Sequence, residues 1–204
     1  MSRKKPPRRG RPPRTAAAVE EMRARIAEAA SKLFESEGYA AVSMRRLADE
    51  VGVTPMTLYA YYDAKIDILR HLWAQILDVA FDAVDAAAAK SRDPHARLRA
   101  ASRAYVAYWL GHRDHYRIVF MTEGVSQDDV GVFMGDAATA ERFAFFARAV
   151  AASFPAGTGA LKGKTDLLIC GLHGIAHCQI TMSSFKWARA DALVDDLVAG
   201  LLSH

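Results

Sequence analysis

The stretch that decides the fold is SMRRLADEVGVTPMTLYAYYDAKIDIL, Ser43–Leu69. Ser43 is a good N-cap, and it opens a predicted helix that ends just before Gly52. Glycine adopts a positive φ angle without steric strain, so the chain can turn sharply there. Thr54 then caps a second helix, which is predicted to run to about Tyr62. Two short helices joined by a tight, glycine-containing turn predict a helix-turn-helix.

The side chains around this turn favour contact with DNA. Arg45 lies in the first turn of its helix, where a positive charge opposes the helix dipole unless a phosphate binds at the same end. The second helix presents hydroxyl groups that can reach phosphate and small apolar groups that can touch a thymine methyl. Alternatively, Tyr59 or Tyr61 packs inward. The residues expected to contact DNA are Ser43, Arg45, Thr54, Pro55, Met56, Thr57, Tyr59, Ala60, Tyr61 and Lys65.

This stretch resembles the DNA-binding signature of TetR-type transcriptional regulators. The resemblance extends over about Val19–Leu72, and Pro55 and Met56 depart from it on the surface that would read DNA. It rests on Leu47-Ala48, Val51-Gly52-Val53, Leu58-Tyr59, Tyr62 and Lys65. The resemblance implies an all-α homodimer with a three-helix DNA-binding head and a larger helical body for ligand binding and dimerisation. It also implies a palindromic DNA operator and release by a small-molecule effector, with repression as the family default.

Charge is distributed unevenly along the chain. The 204 residues carry a net charge of +4, but residues 1–14 hold seven basic side chains and no acid, which leaves −3 on the rest. Such a basic arm indicates a polyanionic partner, and double-stranded DNA fits best because the arm has no apolar stretch to insert into a membrane. Four prolines and Gly10 prevent a helix, so we expect residues 1–14 to be disordered when alone.

The centre of the arm resembles an AT-hook. Glycine permits a flat, narrow passage, and flanking arginines can lie along the minor groove of an A·T tract, where the negative potential is enhanced. The alternative is a solvated tail that binds DNA without sequence preference. The residues expected in this contact are Arg8, Arg9, Gly10 and Arg11.

We divide the chain into the arm 1–14, a DNA-binding domain 15–66 and an effector-binding and dimerisation domain 67–204. Periodicity predicts body helices at about 64–90, 94–111, 115–121, 138–154, 164–184 and 188–202. The fifth of these is apolar nearly all round, so the last two are expected to form a four-helix dimer interface with their partners. Burial within one protomer is the alternative. The expected interface residues are Gly171, Gly174, Leu193, Leu197 and Leu201.

Aromatic residues cluster in the body, where helical folds place ligands between helices. We expect a mainly apolar or aromatic effector and a pocket that draws on Tyr105, Trp109, Tyr116, Phe120, Phe146, His173 and His177. Cys170, His173 and His177 share one helix face and could bind a metal, but their surroundings are apolar and the helix offers no fourth ligand. We therefore expect no metal and no cofactor.

Other classes of protein fit the sequence less well. It has no glycine-rich phosphate loop, nucleophile elbow or convincing acid pair, so we do not expect an enzyme. The longest apolar stretch spans 16 residues, short of the ~20 that cross a bilayer, and we expect no membrane association and a cytoplasmic location. An architectural binder of A·T-rich DNA without an effector, or a transcriptional activator, remains the alternative function.

Overall fold

The computed structural model describes residues 15–203, and within these residues it contains ten α-helices and no β-strand. The predicted all-α fold class is therefore confirmed. The helices are α1 (Ala16–Glu37), α2 (Met44–Val51), α3 (Pro55–Tyr59), α4 (Lys65–Ala88), α5 (Pro94–Gly111), α6 (Arg113–Phe120), α7 (Gln127–Met134), α8 (Ala137–Ala152), α9 (Leu161–Thr181) and α10 (Ala190–Leu202).

Helices α1–α3, here called the head, each begin at a hydroxyl N-cap. The side chains of Thr15, Ser43 and Thr54 each accept a hydrogen bond from the backbone N–H three residues further on. Such caps contribute about 1 kcal/mol each. Gly52 ends α2 in the left-handed region, with φ 74°, and turns the chain into α3. Both caps and the turn within Ser43–Leu69 thus confirm the predicted helix-turn-helix.

Helices α4–α10, here called the body, pack around buried aromatic and aliphatic side chains that include Phe81, Trp109 and Phe146. Helix α4 has 24 residues and is about 36 Å long at 1.5 Å per residue. It contacts α1 at one end and packs along α5 for much of its length. Trp73 Nε1 on α4 donates a 2.7 Å hydrogen bond to the carbonyl oxygen of Ile118 on α6. The long helix therefore connects the head to the body.

The structure differs from the sequence prediction in three places. Helix α3 ends at Tyr59 and continues as a turn, so the second helix of the motif is shorter than predicted. Helix α7 was not predicted: Ser126 caps it, and Phe133 is its one buried residue, too little for an apolar periodicity. Helix α9 is not buried all round, since Leu167 on it is 58% exposed. No helix in residues 15–203 is long and apolar enough to cross a membrane.

Candidate nucleic-acid interface

Helix α3 presents a compact apolar surface. Met56 is 83% exposed and Tyr59 is 51% exposed, while Leu58 between them is fully buried in the head core. Pro55 and Ala60 are also exposed. A helix of five residues cannot bury these groups itself, and large exposed apolar side chains on a soluble protein indicate a contact surface.

Hydroxyl groups near α2 and α3 already make hydrogen bonds within the head. Thr54 Oγ1 caps α3 and lies 2.9 Å from Thr57 Oγ1, and Ser43 Oγ caps α2 by accepting from the N–H of Arg46. Tyr61 is half-buried and packs against the core. The alternative of an inward-packed tyrosine thus applies in part to Tyr61, while Tyr59 faces outward.

The two arginines in the first turn of α2 differ in their surroundings. Arg46 donates to Glu37 and Glu50 at 2.9 and 2.8 Å, so its charge is balanced within the head. Arg45 is exposed at the same helix end. Of the two side chains, Arg45 is the one without an ion pair among the described residues, and its contact with phosphate stays a prediction.

Lys65 occupies a different position from the one expected. Its ammonium group donates to the carbonyl oxygens of Tyr39 at 2.6 Å and Val42 at 2.7 Å. It also lies 4.1 Å from the centre of the Tyr39 ring, and burial lowers the pKa of Lys65. Its ammonium group ties the start of α4 to the loop between α1 and α2, so the expected contact of Lys65 with DNA would compete with these bonds.

A link within the body, between α4 and α7, was not predicted from the sequence. Arg70 on α4 donates to Asp129 on α7 at 2.7 Å and to Asp67 at 3.3 Å. The Asp67 carboxylate in turn accepts from the N–H of Ala64 and so caps α4. Asp129 could not be paired with Arg70 from the sequence because α7 itself was not predicted. The one sign of α7 in the sequence was the pair of acidic residues, Asp128 and Asp129, that follow its N-cap Ser126.

The expected arm contacts Arg8, Arg9, Gly10 and Arg11 lie outside the residues that the structure describes.

The body residues proposed as an effector pocket are brought together by α5, α6, α8 and α9. Tyr105 Oη lies 2.8 Å from His173 Nε2, and Tyr116 Oη lies 3.2 Å from His177 Nδ1. Ring contacts connect the remaining members, with centroid separations of 4.6–5.8 Å for Phe120–His173, Trp109–Phe120, Tyr105–Phe146 and Trp109–Tyr116.

This aromatic cluster is packed by its own side chains. Tyr105, Trp109, Tyr116 and Phe146 are each at most 2% exposed. Burial raises the pKa of Tyr105, while burial and the neighbouring charge of His177 lower the pKa of His173. Both partners of this hydrogen bond are therefore neutral at pH 7. In residues 15–203, no group of three or more His, Cys, Asp or Glu side chains is arranged to hold a metal ion.

Some of the residues expected at a dimer interface pack within one protomer, and others are free to meet a partner. A Cβ atom added to Gly171 would lie 2.5 Å from Leu197 Cδ2, so glycine there lets α10 approach α9 within one protomer. Leu201 is only 4% exposed, and Leu193 is half-buried. Gly174, in contrast, has open space around it. Leu197 and Leu201 thus pack within one protomer, and the predicted contact of this stripe with a partner stays a prediction.

The free surface of α9 lies on its other side. Leu167, Cys170, Gly174 and His177 are exposed at helical spacing and form one face, here called the α9 face.

Comparison with known proteins agrees with this geometry. Residues 26–72 match the family model of bacterial regulatory proteins, tetR family. The HTH-type transcriptional activator FasR of Mycolicibacterium smegmatis is 30% identical over 111 residues, which are 54% of this chain and 51% of that protein. The chain thus spans about half the length of this curated relative.

Two solved structures share the fold of nearly the whole chain. The regulatory protein SCO4313 superposes with a TM-score of 0.74 and 20% identity, covering 94% of this chain and all of that one. A tetR-family regulatory protein from Rhodococcus RHA1 has a TM-score of 0.63 and 19% identity, covering 90% of this chain and 96% of its own. Residues 26–72 thus match the tetR-family model, and the chain as a whole shares the fold of these two solved structures.

Proposed function

We propose that the protein is a DNA-binding transcriptional regulator. In this proposal residues 15–66 bind DNA, residues 67–204 bind an effector and dimerise, and residues 1–14 form a basic arm. The observation that carries the proposal is the exposure of Met56 and Tyr59 on α3, together with the exposed Arg45 in the first turn of α2. Such a surface matches a major groove, which offers thymine methyl groups flanked by phosphates.

The side chains on this surface divide into two classes by their chemistry. Met56, Pro55 and Ala60 carry no hydrogen-bonding side-chain group, so they select bases through apolar contact. Arg45 and Tyr59 can donate to phosphates, which position the protein without reading sequence. Because α3 offers no Arg, Asn or Gln, much of the specificity comes from DNA shape and from the basic arm.

A homodimer on a palindromic operator follows from the α9 face. This face carries the exposed Leu167 and Cys170 and one polar side chain, His177, and Gly174 provides open space for a second helix to approach closely. An isologous contact across it gives two heads related by a two-fold axis, so the DNA site is expected to contain two inverted half-sites.

The effector is proposed to be a small apolar or aromatic molecule that enters the aromatic cluster around Tyr105 and Trp109. Trp109 Nε1 is buried and makes no well-formed hydrogen bond within the described residues, so an acceptor group on a ligand would satisfy it. Together with His173, it would fix the orientation of a molecule that displaces neighbouring rings.

Repression with release by the effector is the proposed mode of action. Activation is a second candidate, because the similar protein of Mycolicibacterium smegmatis is named a transcriptional activator.

Selection of bound duplexes from a random pool, followed by gel-shift titration, tests the proposal. We expect an inverted repeat to be enriched. Met56→Ala should change base preference within the half-site, while Arg45→Gln should weaken all sequences by a similar factor, about tenfold for a charge-assisted contact. Arg113→Gln on the body surface is the matched control and should bind like the wild type. Equal binding of all duplexes would favour the architectural alternative instead.

A further inference from the structure

A groove at the end of the body far from the head is lined by arginines. It lies between the C-terminal part of α4, the first turns of α5 and the outer face of α8, and its volume is about 520 Å³. That volume falls within the range of small-molecule sites, roughly 300–1,000 Å³. Its lining residues are Asp85, Arg92, Pro94, Arg97, Phe145, Arg148, Ala149 and Ala152.

The floor of this groove is apolar and fixed in place. Phe145 is half-buried and packs edge-to-face on Phe146 of the core, with centroids 5.5 Å apart. His95 Nε2 lies 2.9 Å from the carbonyl oxygen of Ser153, which joins the start of α5 to the end of α8. The two walls are thereby held at a set separation, so a ligand would meet a preformed site.

The rim of the groove carries an excess of positive charge. Arg92, Arg97 and Arg148 line it, and all three are exposed. The acid in the lining, Asp85, lies 3.7 Å from Arg142, which it shares with Asp78 and Asp82, each 3.0 Å from that arginine. The three lining arginines still outnumber this one lining carboxylate.

Two further carboxylates lie near the rim. Glu141 pairs with Arg148 at 2.6 Å, but both side chains are more than half exposed, and such a surface pair contributes little free energy. Asp93 turns back on α5 to accept from the N–H of Ala96. The guanidinium groups therefore remain available to an added anion.

We propose that this groove binds a small organic anion, a carboxylate, sulfonate or phosphate attached to a flat or short apolar part. The guanidinium groups would hold the anionic group, because their donor geometry matches paired oxygens, and the apolar part would lie on Phe145, Ala149 and Ala152.

DNA phosphate is not the partner of this groove. Helix α4 runs about 36 Å between the head and this end of the body. The binding proposed here goes beyond the regulatory function and holds whether or not the chain binds an operator.

Calorimetric titration of the full chain with naphthalene-2-sulfonate tests the proposal. At about 0.15 M salt, where the Debye length is near 8 Å, we expect one molecule bound per chain with a Kd below about 1 mM. The neutral naphthalene-2-sulfonamide should bind about tenfold more weakly, because it lacks the charge. Arg97→Gln combined with Arg148→Gln should weaken the sulfonate by a similar factor without lowering Tm, since both side chains are exposed.

Two further variants distinguish binding in the groove from non-specific attraction to positive charge on the protein surface. Ala152→Glu places a carboxylate at the exposed edge of the floor and should also abolish binding. Arg113→Gln removes one exposed charge elsewhere on the body and should leave Kd unchanged. Equal binding of the sulfonate and the sulfonamide, full binding by the double arginine variant, equal loss in Arg113→Gln, or no binding at millimolar concentration would each overturn the proposal. Gel-shift titration with DNA is a separate readout, so failure of one function does not imply failure of the other.

Discussion

Replacing Lys65 by alanine tests how the head is held on the body. The substitution removes two hydrogen bonds from a charged donor, to Tyr39 and Val42, and leaves both carbonyl oxygens without that partner. Hydrogen bonds from charged groups contribute about 1.5–3 kcal/mol each. Because Lys65 is only half-buried, water can reach part of this region, and we expect a combined loss of about 2–4 kcal/mol.

For a chain of this length, each 1 kcal/mol corresponds to roughly 2–4 °C in Tm, so Lys65→Ala should lower Tm by about 5–15 °C. Thermal unfolding followed by far-UV circular dichroism measures this change. Lys65→Met keeps most of the aliphatic chain and should lose nearly as much, whereas Lys90→Ala, at an exposed position, is the matched control. A Tm for Lys65→Ala equal to that of Lys90→Ala would refute the assigned role.

Three further predictions concern the body. Burial lowers the pKa of His173 from its ordinary value of 6.5. The neutral imidazole therefore stabilises the fold above pH 6.5, and this stabilisation is lost as the pH falls through the lower pKa of the folded state. His173→Gln should therefore flatten the fall in Tm between about pH 8 and pH 5. Gly171→Val should lower Tm because its side chain would collide with Leu197, while Gly131→Ala, in the middle of α7 with open space around it, should raise it slightly through helix propensity, about 1 kcal/mol; a reversed order would contradict the packing of α9 on α10. Leu167→Glu should convert a dimer to monomers in analytical ultracentrifugation without unfolding the protomer, because this side chain is 58% exposed; a wild-type monomer at micromolar concentration would contradict the proposed interface.

Local chemistry made the helix-turn-helix predictable from sequence. Ser43 and Thr54 bond to backbone N–H groups three residues away, and Gly52 adopts its conformation without help from distant residues. Each of these features is complete within one turn of chain. The extent of α4 was likewise predicted from apolar spacing, at about 64–90 against the observed Lys65–Ala88.

Contacts between distant segments were not predictable in the same way. Lys65 bonds to residues 23 and 26 positions earlier, and nothing in its neighbours indicates that the chain returns there. The aromatic cluster was identified by residue type, but whether Tyr105 lines a cavity or fills the core depends on how α5, α8 and α9 meet. The leucine stripe of α10 was assigned to a partner because the helix before it reads as apolar nearly all round. That Gly171 lets Leu197 pack on α9 within one protomer is evident only in three dimensions.

The central claim is that the surface around α3 reads a discrete DNA site. The most direct test is to incubate the purified full chain with sheared DNA from its own genome at physiological salt and to sequence the bound fragments, with Tyr59→Ala in parallel. The account predicts enrichment of a few fragments that share one inverted repeat, and loss of that enrichment in the variant. Uniform recovery of A·T-rich fragments, or the same fragments recovered with Tyr59→Ala, would contradict it.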